Sequence, residues 1–249
     1  MTVGFVIAAA QSSSAKGDLD ENVRRHCDLA VQASEHKADF IVFPELSLTG
    51  YEPSLAEDRA ITSESDLLSP LRGLADELQV TIVAGCPIRS ALSKPYIGAF
   101  ILSPKQEVSV YRKRFLHPGE EEHFVASDDT VVCRCKERQV SIAICADINN
   151  PLHAESASDG NASIYAAGVA MTPRGIGEAE TNMSSYAKKY QMATIMANYA
   201  SEAGGFKMAG RSGMWGENGE LVVQAPDNGE FLVLAEQSNN DWSGKIVPT

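Results

Sequence analysis

Long apolar runs are missing from the sequence, and none approaches the ~20 residues that a membrane-spanning helix needs. Residues 3–10 are apolar, but no basic segment precedes them and charged residues follow at once, so we expect a first strand and not a signal peptide. Basic residues are also few, because 21 lysines and arginines stand against 33 acidic residues and give a net charge of −12. Such a protein repels nucleic acid and anionic membranes, so we expect neither as a partner.

Cysteine is sparse and its count is odd, which argues against a disulfide framework and leaves at least one thiol free. The five cysteines are Cys27, Cys86, Cys133, Cys135 and Cys145. We therefore expect a reducing, cytoplasmic location. No second pair of cysteines or histidines follows Cys133 and Cys135 at zinc spacing, so we expect no metal there.

No repeat, linker or low-complexity tract divides the 249 residues, and we predict one domain over residues 1–249. Alternating strand and helix patterns indicate an α/β protein with helix-covered sheets. We predict helices over 20–36, 65–79, 156–167 and 182–192. We predict strands over 3–10, 38–43, 80–86, 98–102, 106–111, 131–135, 140–144, 168–173, 193–198, 219–223 and 231–235, followed by a polar tail.

The apolar strand over 140–144 ends at Cys145, where a loop begins. Open α/β sheets bind ligands beyond the carboxyl ends of their strands, so this cysteine is a candidate nucleophile. Cysteine is also among the most frequently buried residues, and a purely structural role is the alternative.

Two further stretches carry candidate groups. Glu45 follows the strand over 38–43 and precedes a loop rich in glycine and proline, although a surface glutamate that caps a turn is the alternative. Lys113 lies in a basic cluster that an acidic one follows. This loop is either self-paired and solvated, or it holds a lysine between carboxylates.

Taken together, these stretches resemble the three signature blocks of the nitrilase superfamily of carbon-nitrogen hydrolases. The blocks are Phe43-Pro44-Glu45 with Gly50-Tyr51 beyond it, Tyr111-Arg112-Lys113, and Ile144-Cys145-Ala146-Asp147, in that order. The resemblance covers nearly the whole chain, from the Phe5–Gln11 strand through Asn198 and the Gly210-Arg211-Ser212 loop to Gly219.

The resemblance implies a four-layer α-β-β-α sandwich of two mostly antiparallel or mixed, six-stranded-type sheets, assembled as a homodimer or a higher homo-oligomer. It also implies that Glu45, Lys113 and Cys145 are catalytic, that the backbone N–H of Ala146 contributes to an oxyanion site, and that no cofactor or metal is needed. Many members carry a second glutamate after the lysine, and either Glu120 or Glu121 fits that place.

The chain departs from the family pattern after Asp147, where many members carry an aromatic residue, a proline-glutamate pair and, in the next helix, an arginine. Here the sequence continues with Ile148-Asn149-Asn150-Pro151-Leu152-His153, and the corresponding helix contains Ser156, Ser158 and Asn161. This segment commonly shapes the acyl pocket. The missing arginine argues mildly against a substrate carboxylate held by a bidentate clamp. Residues that we expect to line the pocket are Tyr51, Asp147, Asn149 and Met171.

We therefore predict a hydrolase of small, linear, non-peptide amides, similar to amidases, ω-amidases and carbamoylases. It would work through a cysteine thioester and release ammonia or an amine. One alternative is nitrile hydrolysis through a thioimidate. Another is a catalytically silent protein that keeps the fold and binds a small ligand.

Overall fold

Two mixed β-sheets form the centre of the computed structural model, which describes residues 4–130, 132–239 and 241–249. Val3 and Val131, with which two predicted strands begin, lie outside the described residues. Strands and helices are numbered in chain order. The first sheet contains β1 (Phe5–Gln11), β2 (Phe40–Val42), β3 (Thr81–Ile88), β4 (Tyr96–Leu102), β5 (Ser109–Arg112), β12 (Phe231–Ser238) and β13 (Asp241–Pro248).

The strand order in this sheet is β13-β12-β1-β2-β3-β4-β5, with β1, β2 and β3 parallel and the outer pairs antiparallel. The second sheet contains β6 (Val132–Cys135), β7 (Arg138–Ile144), β8 (Ile164–Gly168), β9 (Ala193–Ala197), β10 (Gly213–Trp215) and β11 (Leu221–Gln224). Its order is β11-β10-β9-β8-β7-β6, and β7, β8 and β9 are parallel.

Helices cover both sheets on their outer faces. Their bounds are α1 (Leu19–Glu35), α2 (Ala56–Arg59), α3 (Ser69–Leu78), α4 (Pro151–Asp159) and α5 (Ile176–Tyr190). In α1, the Asp18 side chain accepts a hydrogen bond from the Glu21 N–H at 3.1 Å and caps the helix. Helices α1 and α3 pack on the first sheet, while α5 packs on β9 and α4 packs on α5.

The two faces of β1 show how the layers form, because successive side chains of a strand point to opposite faces. Phe5, Ile7 and Ala9 join the core shared with the second sheet, whereas Val6 and Ala8 face the α1 and α3 layer. Both faces are apolar, so the strand is buried on both sides. This arrangement confirms the predicted layered α/β fold, with seven strands in one sheet and six in the other.

The predicted helix over 156–167 and the strand over 168–173 are wrong. The helix α4 covers Pro151–Asp159 instead, because Pro151 presets its first turn and the Asn150 side chain caps it through the Leu152 N–H. The following segment forms β8, which pairs with β7 and β9 in the middle of the second sheet.

Three other expectations also need correction. The tail predicted as polar and irregular is the edge strand β13, whose largely exposed side chains hide its strand character. The short strand β10 falls in a glycine-rich stretch that gave no strand pattern. Helix α5 begins at Ile176, six residues before the predicted start at Asn182. Among the residues that the structure describes, no helix combines the length and the apolar character that crossing a membrane requires.

Candidate active site

Glu45, Lys113 and Cys145 meet at one place, where strands of both sheets end. Glu45 follows β2, Lys113 directly follows β5, and Cys145 directly follows β7. The Lys113 Nζ donates a hydrogen bond to Glu45 Oε1 at 2.7 Å, and the Cys145 thiol lies close enough to affect the pKa of both groups. The three sequence motifs are therefore brought together, with side chains that are 0–6% exposed.

The Lys113 ammonium lies between two buried carboxylates. Besides Glu45, it contacts Glu120 Oε2 at 2.8 Å and Glu120 Oε1 at 2.9 Å. Glu120 also accepts hydrogen bonds from the Tyr51 hydroxyl at 2.9 Å and the His117 N–H at 2.7 Å. Glu121 is exposed, so Glu120 is the glutamate that faces the lysine.

Charge and burial act together on the pKa values of these groups. Burial works against the Lys113 ammonium, but Glu45, Cys145 and Glu120 outweigh it and hold the lysine pKa well above its usual value. Burial raises the pKa of Glu45 to about 7, because it outweighs the opposing effect of Lys113, while Glu120 adds repulsion. The carboxyl group of Glu45 can therefore accept and return a proton near neutral pH.

Cys145 lies in a strained turn at the end of β7, with a φ of 46° in the left-handed region. Burial raises its pKa well above the usual range, and Glu45 raises it further, whereas Lys113 and a hydrogen bond from the Ala170 backbone N–H lower it. The resting group is therefore a thiol. Glu45 Oε2 has no hydrogen-bond partner of good geometry among the described residues, so one oxygen remains free to take the thiol proton.

Two glycines allow the Glu45 turn to fit between the sheets. A Cβ atom on Gly168 of β8 would lie 2.4 Å from the Phe43 carbonyl oxygen, and one on Gly85 of β3 would lie 2.6 Å from the Pro44 carbonyl oxygen. Neither distance is possible for a real side chain. The Tyr199 hydroxyl donates to the Glu45 carbonyl at 2.8 Å and fixes the turn from a third direction.

We expect Gly168→Ala to displace this turn and to slow alkylation of Cys145 by iodoacetamide by about 10- to 100-fold, since small misplacements of reacting groups carry costs of this size. Overpacking should also destabilise the protein by about 1–3 kcal/mol, measured by urea unfolding. The control is Gly73→Ala in α3, where a Cβ would meet nothing within 4 Å. Equal alkylation rates in the two variants would contradict the proposed fit.

The pH dependence of the same alkylation tests the role of the carboxylate. Below pH 7 Glu45 is mostly protonated and cannot take the thiol proton, so the rate should rise with pH and level off above about pH 7. In Glu45→Gln this inflection should disappear, and alkylation should follow only the higher pKa of the thiol. A wild-type profile that lacks an inflection near neutral pH would argue against proton transfer to Glu45.

The other residues predicted for the site lie at different depths. Tyr51 is partly exposed beside Glu120, and Met171 is 8% exposed. Ala146 follows Cys145 in the same turn, at 8% exposure. Asn149 is exposed at the end of that turn, whereas Asp147 is fully buried and both its oxygens bind groups of the protein.

Sequence reasoning missed several groups that fix the site residues through hydrogen bonds. Ala170 and Tyr199 act through a backbone N–H and a hydroxyl, and nothing in their local pattern signals these contacts. Asn198, noted only as part of the resemblance, accepts from the Met171 N–H at 2.9 Å and donates to its carbonyl at 3.1 Å. It thereby fixes the segment that carries the Ala170 N–H. Its place at the end of β9 is the signal that could have identified it.

Within residues 4–130, 132–239 and 241–249, no group of three or more histidine, cysteine, aspartate or glutamate side chains is arranged to hold a metal ion. The acidic groups at the site are instead paired with the Lys113 ammonium.

A comparison with family models places this geometry in a known context. Residues 6–243 match the model of the carbon-nitrogen hydrolase family. The chain belongs to this family. The resemblance seen in the three motifs is thus confirmed.

Solved structures and curated relatives agree with this placement. The amidase from Nesterenkonia sp. AN1 in complex with butyramide superposes with a TM-score of 0.86 at 23% identity, covering 95% of this chain and 92% of that one. The glutamine-dependent NAD(+) synthetase of Acinetobacter baylyi is 24% identical over 93% of this chain, which spans only 44% of that relative. A protein named hydrolase in pqqF 5'region from Pseudomonas protegens is 26% identical, over 84% of this chain and 74% of its own length.

Proposed function

We propose that this carbon-nitrogen hydrolase cleaves the C–N bond of a small, linear, non-peptide amide through a thioester on Cys145. The observation that carries the proposal is the buried Lys113 ammonium between the carboxylates of Glu45 and Glu120, next to a thiol in a strained turn. A structural ion pair needs neither the adjacent nucleophile nor the strain. Burying three ionisable groups is costly, and it is usual at sites that perform proton transfer.

In the first half of the reaction, Glu45 takes the thiol proton while the Cys145 sulfur bonds to the amide carbon. The C=O electron pair moves onto oxygen, and this oxyanion receives hydrogen bonds from Lys113 and from the backbone N–H of Ala146. Each such donor is worth about 3–4 kcal/mol in a water-poor site. The oxyanion then re-forms the carbonyl, the C–N bond breaks, and Glu45 returns its proton to the departing nitrogen.

In the second half, water replaces the amine. Glu45 takes a proton from the water while the water oxygen bonds to the thioester carbon. Lys113 and the Ala146 N–H again donate hydrogen bonds to the oxyanion. The C–S bond then breaks, the sulfur regains its proton, and a carboxylic acid leaves. One carboxyl with a pKa of about 7 can serve as base, acid and base again at neutral pH.

Glu120 is proposed as the second glutamate, in place of Glu121. Its two oxygens hold the Lys113 ammonium, and the Tyr51 hydroxyl and His117 N–H hold Glu120 in turn. The position of the Lys113 ammonium is then fixed before substrate arrives.

The charges and side chains around the site support this substrate class. Lys113 is neutralised by two carboxylates and so offers no free charge to a substrate carboxylate. Met171, next to Ala170, and the partly exposed Tyr51, beside Glu120, offer apolar surface. A short neutral acyl group suits these surroundings. The names of the relatives add butyramide and glutamine as amides to be tested first.

Ammonia release from a panel of compounds tests the proposal. The panel contains butyramide, glutamine, an N-carbamoyl amino acid and butyronitrile, and intact-protein mass spectrometry follows each reaction after rapid acid quench. We expect butyramide to be hydrolysed with a transient mass increase of one acyl group on Cys145. Turnover of the nitrile alone would favour nitrile hydrolysis. Binding of panel members without ammonia release or adduct would favour a silent ligand-binding member.

The remaining parts of the proposal are predictions from the sequence alone. They are a single domain over residues 1–249, a cytoplasmic location, a homodimer or higher homo-oligomer, and a reaction without cofactor or metal. Size-exclusion chromatography with light scattering measures the oligomer directly. Activity after exhaustive dialysis against a chelator measures the need for metal.

A further inference from the structure

Four buried polar side chains form a continuous chain of hydrogen bonds behind the Cys145 turn. The Tyr165 hydroxyl bonds to His153 Nδ1 at 2.8 Å, and His153 Nε2 bonds to the Tyr111 hydroxyl at 2.8 Å. Tyr111 in turn donates to Asp147 Oδ2 at 2.7 Å. The chain therefore runs from β8 through α4 and β5 to the residue two positions after Cys145.

The direction of the protons along this series of hydrogen bonds follows from counting donors. Tyr111 has one hydroxyl proton and gives it to Asp147, so its oxygen can only accept from His153 Nε2. His153 then carries its proton on Nε2, and Nδ1 is left to accept from Tyr165. Reversing the chain would leave the Tyr165 proton without a partner in a buried place, which is costly.

Asp147 connects the nucleophile turn with the lysine segment. Its Oδ2 accepts from the N–H of Ile144, which precedes Cys145, at 2.9 Å. Its Oδ1 accepts from the backbone N–H groups of Arg114 and Phe115, which follow Lys113, at 3.1 and 2.9 Å. One carboxylate therefore sets the distance between the two segments that carry the sulfur and the ammonium.

We propose that His153 is a positioning residue, which as the neutral Nε2–H tautomer directs the Tyr111 hydroxyl to Asp147 and so fixes the Cys145 turn against the Lys113 segment. The inference rests on the proposed function for its kinetic consequence. The tautomer of His153 and the reactivity of the Cys145 thiol do not depend on which amide is the substrate. His153 belongs to the segment where this chain departs from the family pattern.

The surroundings of His153 favour the neutral form. Burial and the nearby positive charge of Arg114 lower its pKa, against the opposing attraction of Asp147, whose Oδ2 lies 3.8 Å from Nε2. The uncharged groups packed on the ring are Tyr111, Tyr165 and Phe115, all in edge contacts. A second proton on the ring would occupy Nδ1, which already accepts from Tyr165.

Nitrogen NMR of the intact protein with labelled histidine reads the tautomer directly. We expect the His153 ring to show a protonated Nε2 and an unprotonated Nδ1 as a single species near neutral pH. In Tyr111→Phe, which removes one oxygen and keeps the packing, Nε2 loses its acceptor and the two tautomers should mix. A wild-type ring protonated on Nδ1, or on both nitrogens, would overturn the proposal.

Thiol reactivity then separates positioning from mere packing. We expect His153→Leu to slow alkylation of Cys145 about tenfold and to lower kcat about tenfold with KM within about twofold, because misplaced groups lose rate more than binding. His153→Gln, which offers one donor and one acceptor as the neutral ring does, should recover most of both losses. Tyr190→Phe, at the half-buried C-terminal end of α5, is the control and should change neither.

Equal alkylation rates in His153→Leu and His153→Gln, with only the melting temperature lowered, would reduce His153 to a packing role and overturn the proposal. If His153→Leu does not fold, the Tyr111→Phe variant carries the test, because it breaks the link between His153 and Asp147, with an expected loss of about threefold in the alkylation rate. A wild type that shows the Nε2–H tautomer and the alkylation effects but no amide turnover supports this inference and contradicts the proposed function.

Discussion

Cys145→Ala is expected to reduce amide hydrolysis by at least about 10⁴-fold, because removing the nucleophile of a covalent mechanism removes most of its rate acceleration. Cys145 is part of the buried core, but the substitution removes only the sulfur atom, so the variant should fold as the wild type does. Ammonia release measures the first effect and thermal unfolding the second. Binding of butyramide should persist, since Glu45, Lys113 and the pocket remain.

The matched control is Cys86→Ala, because Cys86 is also buried but its side chain packs in the core between the first sheet and its helices. It should lose stability and keep full turnover per folded molecule. Cys145→Ser should also lose turnover, since a hydroxyl in the same place is a poorer nucleophile than a thiol. Full turnover by Cys145→Ala would end the proposed mechanism. A loss of turnover in Cys86→Ala equal to that in Cys145→Ala would trace the effect to stability.

The sequence predicts that Glu45, Lys113 and Cys145 share one site, because together their motifs resemble one family pattern and each follows a strand, and the structure brings the three groups together. The sequence alone could not decide whether Glu120 or Glu121 faces the lysine. These residues lie in one 3-10 turn, where neighbouring side chains point in directions about a third of a turn apart. Gly119, with a φ of 98°, and the His117 N–H decide that Glu120 turns inward.

The strand β8 illustrates why local pattern failed in the second half of the chain. Tyr165, Ala166 and Ala167 belong to a run in which alanine favours a helix by intrinsic propensity. The parallel neighbours β7 and β9 supply hydrogen bonds on both sides, and burial on both faces suits small side chains. Tertiary context therefore overrides propensity, as is common for central strands.

Contacts that join distant segments were hidden for the same reason. Gly168 must lack a side chain because the Phe43 carbonyl oxygen lies against it, and Tyr199 donates a hydrogen bond to the Glu45 carbonyl. Both partners are more than a hundred residues away in the sequence. His153 looked like one residue in an irregular departure from the family pattern. Its two tyrosine partners become visible only when β5, α4 and β8 are placed together.

Lys113→Met is expected to lower both activity and stability, for one electrostatic reason. The substitution leaves the carboxylates of Glu45 and Glu120 buried without a cation, and breaking a buried ion pair in this way typically costs about 3–5 kcal/mol. Loss of the oxyanion donor should reduce turnover by about 10²–10³-fold. Urea unfolding and ammonia release measure the two effects.

The stability loss should depend on pH in a defined direction. Without the ammonium, the folded-state pKa of Glu45 rises further above its value in the unfolded chain, so the folded variant binds a proton that the unfolded one releases. The variant should therefore lose stability relative to the wild type as pH rises through neutrality, and recover toward the wild type near pH 5. A difference independent of pH would mean that lost packing of the lysine stem, and not uncompensated charge, is responsible.

The double variant Lys113→Met with Glu120→Gln separates stability from chemistry. Neutralising Glu120 removes one of the two carboxylates that the ammonium had balanced, so much of the lost stability should return. Turnover should not return, because the donor for the oxyanion is still missing. If turnover recovers together with stability, Lys113 serves to keep two carboxylates folded in place, and the oxyanion then depends on the backbone N–H of Ala146 alone.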